Sequence, residues 1–264
     1  MKLLISHFFN EEYLLPYWLK HHREIFDHGV LINNHSTDRS REICRELVPG
    51  WEIVTSTNET FSGIMCDFEV MKHEARFKNS WKLVLNTTEF LVGSQLENVI
   101  KFMIKDGYIG GRIPGAVMVD PHPDTPLDPD KPLVEQKYHG AWEADFPYDQ
   151  LGQSWYERPT RSRILHNYPI GSYVPGRHDS HLPNLVPINP EHLGIWWYGY
   201  SPWTPEGIAR KLQIQSTIDP FDVKVRFGHQ HEVTPDQLQE RHAAMLEFSQ
   251  NLRDPVPAPV TSNA

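Results

Sequence analysis

Trp81-Lys82-Leu83-Val84-Leu85-Asn86-Thr87-Thr88-Glu89-Phe90-Leu91-Val92 is the stretch whose reading decides the fold. Trp81 to Leu85 is a short apolar run of residues that suit a buried strand. It breaks into the polar cluster Asn86 to Glu89, and apolar residues resume at Phe90, Leu91 and Val92. A buried strand that runs into a polar cluster delivers the cluster to its carboxyl end, the edge where open α/β sheets bind ligands. A strand that merely ends in a turn fits the same residues.

Upstream, Lys2 to Phe9 reads as a first strand. Asn10 is suited to cap a helix, with Glu11 and Glu12 in its first turn and Leu14, Leu15, Trp18, Leu19 and His22 at helical spacing. Val30 to Ile32 is a second strand and runs into Asn33-Asn34-His35-Ser36-Thr37-Asp38. A helix with Ile43 and Leu47 on one face follows, then a strand over Trp51 to Thr55 and a helix from Ser62 to Phe77. On that helix Lys72, Arg76, Glu69 and His73 read as an exposed, pair-forming face. Downstream, Ser94 and Glu97 have the spacing of a capping box for a helix through about Lys105. Strand and helix thus alternate through the first half, which predicts a parallel sheet with helices on both faces.

From Gly107 the pattern changes. Tyr108 to Val119 holds strand-like pieces broken by Gly110, Gly111, Pro114 and Gly115. Pro121, Pro123, Pro126 and Pro129 make the next segment a loop. Thr204-Pro205-Glu206 starts a helix to about Ile214, and Thr234-Pro235-Asp236 starts another to about Leu252. The tail, 254–264, has no periodicity and reads as disordered.

The bulk numbers bound the function. With 39% hydrophobic and 22% charged residues, the 264-residue chain has the composition of a soluble protein with a sizeable core. A formal charge of -9 disfavours a nucleic-acid surface, which needs a basic face. Cys44 and Cys66 have neither a metal-ligand nor a disulfide-framework spacing, which points to reduced thiols and a cytoplasmic protein. No apolar run has the length of a membrane span, and the amino terminus lacks the apolar run of a signal peptide.

Three strand ends resemble family 2-like glycosyltransferases. Asn10-Glu11-Glu12-Tyr13-Leu14-Leu15-Pro16-Tyr17-Trp18-Leu19 looks like that family's opening Asn-Glu-Glu with Leu and Trp on the first helix. His21-His22 sits where members often have a Tyr-His pair. Asn33 to Asp38 is similar to the family's Asp-Asp/Asn-Gly-Ser-Thr-Asp, whose first acidic pair contacts the nucleotide base. Asn86-Thr87-Thr88-Glu89-Phe90-Leu91 stands where the family has Asp-x-Asp-Glu-Phe-Leu, its metal and sugar-diphosphate site. The resemblance covers the first 92 residues, and motifs in this order at strand ends are more specific than any one alone. Both aspartates of the triplet are missing here, and Asn33 and Asn34 replace acids. An amide both donates and accepts, so it still reads a base edge.

The resemblance implies an α/β fold of the glycosyltransferase A type. A Rossmann-like nucleotide-sugar-binding half, 1–106, would merge into an irregular acceptor-binding half, 107–253, of the same domain. It implies transfer of a sugar from a nucleoside-diphosphate donor to a hydroxyl of a glycan or other acceptor. The expected donor contacts are His7, Asn10, Asn33, Asn34, Asp67, Asn86 and Thr88, with Arg210 and Lys211 neutralising the leaving diphosphate. Asp67 fits a solvated helix surface equally well.

Inverting transfer needs a carboxylate to deprotonate the acceptor. The candidates are Asp145, Glu143 and Asp179, in that order; the first two lie beside Trp142 and Phe146. Manganese or magnesium would enter with the donor diphosphate and take Glu89 and His178 as ligands. Two rival readings stand. One is a catalytically degenerate nucleotide-sugar or glycan-binding protein, suggested by the missing acids. The other is a zinc hydrolase, suggested by His178-x-x-His181 and His229-x-His231, although no His-Glu-x-x-His helix is present.

Overall fold

The computed structural model describes residues 1–142, 161–224 and 233–253. In the first half β1 (Lys2–Phe8), β2 (His28–Asn33), β3 (Glu52–Thr55) and β4 (Trp81–Val84) alternate with α1 (Leu15–His22), α2 (Ser40–Leu47) and α3 (Gly63–Glu74). The chain continues through β5 (Glu89–Gly93), α4 (Leu96–Lys105), β6 (Gly110–Ile113), β7 (Gly115–Val119), α5 (Leu133–Gln136) and β8 (His139–Trp142). After 160 come β9 (Arg163–His166), β10 (Val186–Pro187), β11 (Leu193–Tyr200), α6 (Pro205–Leu212), α7 (Pro220–Lys224), α8 (Pro235–Leu246) and β12 (Gln250–Asn251).

The fold is α/β, with two mixed sheets flanked by helices. One sheet has the order β10-β6-β9-β4-β1-β2-β3 and the other β12-β8-β7-β11-β5. β4, β1, β2 and β3 run parallel, as the alternation predicts. β1, β2 and β4 are buried along almost their whole length while successive side chains face opposite sides, so helices cover both faces. Leu4 and Phe8 of β1 point into the cluster holding Trp18 of α1 and Ile43 of α2, whereas Leu3 and Ile5 meet Val70 of α3.

A single parallel sheet is not what forms. β9 joins antiparallel between β4 and β6, and β5 leaves for the second sheet, where it pairs antiparallel with β11. The deciding stretch therefore bridges two sheets: Trp81–Val84 in one, Glu89–Gly93 in the other, and the polar cluster at the crossing. Each sheet draws strands from both halves of the sequence: β10, β6 and β9 sit beside β4 in one, and β5 lies at the edge of the other beside β11.

β5 is an edge strand, and its open side is closed by side chains of α1. The Trp18 indole N–H donates to the Glu89 carbonyl at 2.8 Å. His22 Nε2 accepts from the Leu91 N–H at 3.2 Å, and His21 Nε2 lies 2.7 Å from the Leu91 carbonyl. Because His22 Nδ1 lies 2.9 Å from the Trp18 carbonyl, the ring is the neutral Nδ1–H tautomer. Burial, with His21 beside it, holds its pKa well below the usual value. Trp18, His21 and His22 are thus structural clamps that satisfy an exposed strand edge.

Several caps differ from expectation. Asn10 does not cap α1, whose cap is Leu14 without a side-chain bond. Ser94 and Glu97 form no capping box; Ser94 Oγ donates instead to the His192 carbonyl at 2.7 Å, where β5 meets β11. Thr204 and Thr234 do cap α6 and α8. α6 ends at Leu212 in a 3-10 turn, Gln213–Thr217, and α8 ends at Leu246.

Candidate functional site

Parallel pairing fixes the site. Phe8 pairs with Asn33 and Ile5 with Val84, so the chain segments after β1, β2 and β4 emerge at one sheet edge with β1 between the other two. Asn10, Asn33, Asn34 and Asn86 share that edge. Asn10, at φ +48°, accepts the Thr37 N–H at 2.8 Å, and its own N–H donates to Ser36 Oγ at 3.0 Å. Asn33 Oδ1 accepts the Ser36 N–H at 2.9 Å. Asn10 therefore uses its amide oxygen to lock the two loops together, and Asn33 uses its own to brace the loop it begins. Asn34 differs: its Oδ1 is buried and has no hydrogen-bond partner among the described residues.

The inner face of α3 carries acids. Asp67 and Glu69 are buried, contrary to the exposed face expected of Glu69 and to the solvated alternative for Asp67, and Arg76 pairs across to Glu52. Glu69 accepts from Ser56 Oγ at 2.6 Å and the Thr57 N–H at 2.8 Å, and lies 3.1 Å from His7 Nε2. Burial works against its charge, but bonds from His7, Ser56 and Thr57 prevail and hold its pKa down to about 2. Burial lowers the pKa of His7 despite Glu69, so the imidazole is held toward neutrality. Asp67 is ion-paired with Arg177 and accepts the Gly176 N–H at 2.9 Å. Arg177, at φ +63°, also donates to Asn86 Oδ1 at 2.8 Å.

The expected cation ligands are placed otherwise. Glu89 is 1% exposed, and Arg163 donates to both of its oxygens, Nε to Oε2 at 2.7 Å and Nη2 to Oε1. Oε2 also accepts the Asn86 N–H at 2.7 Å. Arg163 Nη1 donates to His178 Nδ1 at 3.0 Å, and the His178 ring makes a further bond with the Ser162 backbone. Burial, then Arg163, Arg161 and Arg177, hold its pKa well below the ordinary value. A neutral ring with Nδ1 accepting and Nε2–H donating has no lone pair to offer a metal. Glu89 and His178, so placed, do not fit a divalent cation. Among the described residues no group of three or more His, Cys, Asp or Glu is placed to hold one. His229 and His231 lie outside the described residues.

Asp179, a candidate base, is ion-paired with Arg112 and accepts the Ser180 N–H, which ties its carboxylate to the β6 side of the sheet. Glu143 and Asp145 lie outside the described residues.

α6 brings basic side chains to the same edge. α6 packs against the segment after β1: Gln213 Nε2 donates to the Phe9 and Asn10 carbonyls at 3.2 and 3.0 Å, and Tyr13 OH lies 2.9 Å from Thr204 Oγ1. Arg210 pairs with Glu11 at 2.9 Å. Burial pushes the Glu11 carboxyl up, and Arg210 and the Thr87 hydroxyl oppose that. Lys211 lies 4.0 Å from the Tyr200 ring centroid and 4.8 Å from that of Trp197, whose ring also carries the Arg161 guanidinium at 4.1 Å. Burial and the nearby Arg210, Arg161 and Arg241 hold Lys211 well below the usual lysine pKa. The Tyr198 N–H bonds the Thr88 carbonyl at 2.8 Å, which fixes this aromatic strand to the polar crossing.

No family model matches the sequence, and none of the curated proteins does. One solved structure it is similar to is S. aureus TarS 1–349, a glycosyltransferase. The match has a TM-score of 0.41 and 10% identity, and covers 82% of this chain but only 65% of that one, less than two thirds. A likeness of that strength leaves function to the residues themselves.

Four residues to which the sequence assigns no site role stand in the candidate site: Glu69, Arg163, Arg177 and Glu11. Arg177 stood beside the histidines that drew attention, and Glu11 inside the Asn-Glu-Glu match, so both were visible as positions without a role. Arg163 had no signal, because its partner Glu89 lies far away in sequence. The edge presents neutral amides and hydroxyls from one side and cations backed by aromatic rings from the other. Such a surface suits a ligand that carries hydroxyls and concentrated negative charge. An open groove between α1 and α2 is lined by Glu12, Pro16, Lys20, Arg39, Ile43 and Glu46. No helix among the described residues is long and apolar enough to cross a membrane.

Proposed function

We propose that the protein transfers a sugar from a nucleoside-diphosphate donor to a hydroxyl of a glycan or other acceptor. The observation that carries the reading is a convergence. The chain segments with the resemblance, after β1, β2 and β4, meet at one sheet edge, and Arg210 and Lys211 close on it from α6. In this reading Asn34, with a free buried oxygen, reads the base or ribose. Thr87, Thr88 and Asn86 face the donor at the crossing. Arg210 and Lys211 neutralise the charge that develops on the leaving diphosphate. The base is Asp145 or Glu143. No step is routed through a divalent cation.

A screen of nucleoside diphosphates and their sugars for thermal stabilisation tests this. A ligand at 100 times its dissociation constant should add about 2.7 kcal/mol. Uridine and guanosine compounds are expected to lead, and a flat response across all nucleotides defeats the reading.

A second reading has its own support. Asp67, Glu89, Asp179 and Glu11 are all ion-paired, and Glu69 is held by five donors or rings. None of them is a ready base, which favours a protein that binds a nucleotide sugar without transferring it. Asp145→Asn separates the two. Loss of turnover with donor affinity kept supports transfer, since the change removes a base and keeps size. A wild-type protein that binds donor and never releases free nucleoside diphosphate supports the binding protein.

A further inference from the structure

At the polar crossing, three side chains that a cation would use are held by guanidinium groups. Glu89 gives both oxygens to Arg163, His178 gives Nδ1 to the same arginine, and Asn86 gives Oδ1 to Arg177. Arg163 is fully buried and Arg177 nearly so, and both are anchored elsewhere, on the Gly176 carbonyl and on Asp67. A divalent ion placed on any of these oxygens or on the imidazole would stand within contact range of a fixed positive charge. It would also have to displace hydrogen bonds to charged groups, which are the strong ones. The acids are consumed as well. Asp67 neutralises Arg177 and Glu89 neutralises Arg163, so no described carboxylate at the crossing is left to balance a cation.

We propose that this chain has replaced the divalent-cation site at its sheet edge by two built-in guanidinium groups, Arg163 and Arg177, and binds a nucleoside diphosphate without metal. The inference rests on the donor reading given above and deepens it. The phosphate is then met by Arg210 and Lys211 of α6, while Arg177 behind Asn86 offers a hydrogen-bond donor and no net charge, since Asp67 balances it. Arg177 retains a buried Nε–H with no partner among the described residues, a donor that a phosphate-linked oxygen or a bridging water would satisfy. Arg suits this role better than Lys, because its planar fork engages one acid and one neutral oxygen at once.

Calorimetry on the purified full chain tests the proposal. Manganese titrated into the protein alone is expected to give no binding heat. Uridine and guanosine diphosphate titrated in EDTA, and again with excess manganese after correction for metal–nucleotide association, are expected to bind with constants that agree within about twofold. Saturable manganese binding to the free protein overturns the inference. So does nucleotide binding that tightens by about tenfold or more with the metal. Either result leaves the donor reading standing. Binding of neither nucleotide in either condition sinks the donor reading and this inference with it. A second test reverses the replacement. The double variant Arg177→Gln, Asn86→Asp frees Asp67 and restores a carboxylate at the crossing, so it should acquire manganese binding detectable by electron paramagnetic resonance. A folded double variant, checked by circular dichroism, that still binds no manganese means that the guanidinium is not what excludes the cation.

Discussion

Lys211 stands among cations: burial lowers its pKa, and Arg210, Arg161 and Arg241 hold it further down. An anion bound beside it raises that pKa again, so binding takes up a proton. Affinity for a nucleoside diphosphate should therefore fall as pH rises through the depressed free-protein value. Calorimetry in buffers of different ionisation enthalpy should show net proton uptake. Lys211→Met should abolish the uptake and weaken binding by about tenfold, or 1.4 kcal/mol. Glu69 behaves in the opposite sense. Its pKa is depressed from 4.5 to about 2, so its stabilising contribution is present above 4.5 and is lost as pH falls toward 2. Glu69→Gln should flatten acid denaturation in that window and lower stability at neutral pH. Unchanged acid midpoints in the mutant would mean that other carboxylates set the acid limit.

At the scale of elements, the joint between the two sheets is the Glu89–Arg163 pair, which ties the start of β5 to β9. Both partners are 1% or less exposed, so removing one leaves a buried charge without a counter-charge. Glu89→Leu should cost about 3–5 kcal/mol in chemical denaturation, and Glu89→Leu with Arg163→Met should recover most of it. A single-mutant cost near zero would show that water enters the joint. The other end of β5 is constrained by shape. Gly93 sits at φ +112°, and a Cβ there would lie 2.4 Å from the His192 carbonyl oxygen. Gly93→Ala should thus lower stability by about 1–3 kcal/mol, read as a shifted denaturation midpoint.

For the whole molecule, a formal charge of -9 coexists with a local gathering of Arg161, Arg210, Lys211 and Arg241 beside the candidate site. The two thiols report on the integrity of the fold. Burial pushes Cys44 up to about 12 and Cys66 up to about 11, and both are free. Thiolate is the reactive form, so neither should react with a disulfide reagent at neutral pH until the protein unfolds globally. Reaction of Cys66 alone in native conditions would show that α3 opens locally, and with it the Asp67 and Glu69 side of the site. A bound nucleoside diphosphate should slow any such opening.

The strand-helix alternation of the first half was legible because period-two and 3.6-residue burial are written locally, in Leu3-Leu4-Ile5 and in Leu15, Trp18 and Leu19. The polar ends after β1, β2 and β4 were legible for the same reason: each breaks an apolar run at a position that parallel pairing brings to one edge. Pairing across distance was not. Nothing near Glu89 announces Arg163, nothing near Asp67 announces Arg177, and nothing in Phe90-Leu91-Val92 says that it crosses to a second sheet beside β11. A carboxylate's chemistry depends on which charge it faces, and that partner is chosen by tertiary contact. So the sequence by itself determined the α/β layout and the edge where the site lies. Only the folded chain decided that the acids there are held by guanidinium groups, because a residue's charge partner is set by where the two strands meet and not by how far apart they lie along the chain.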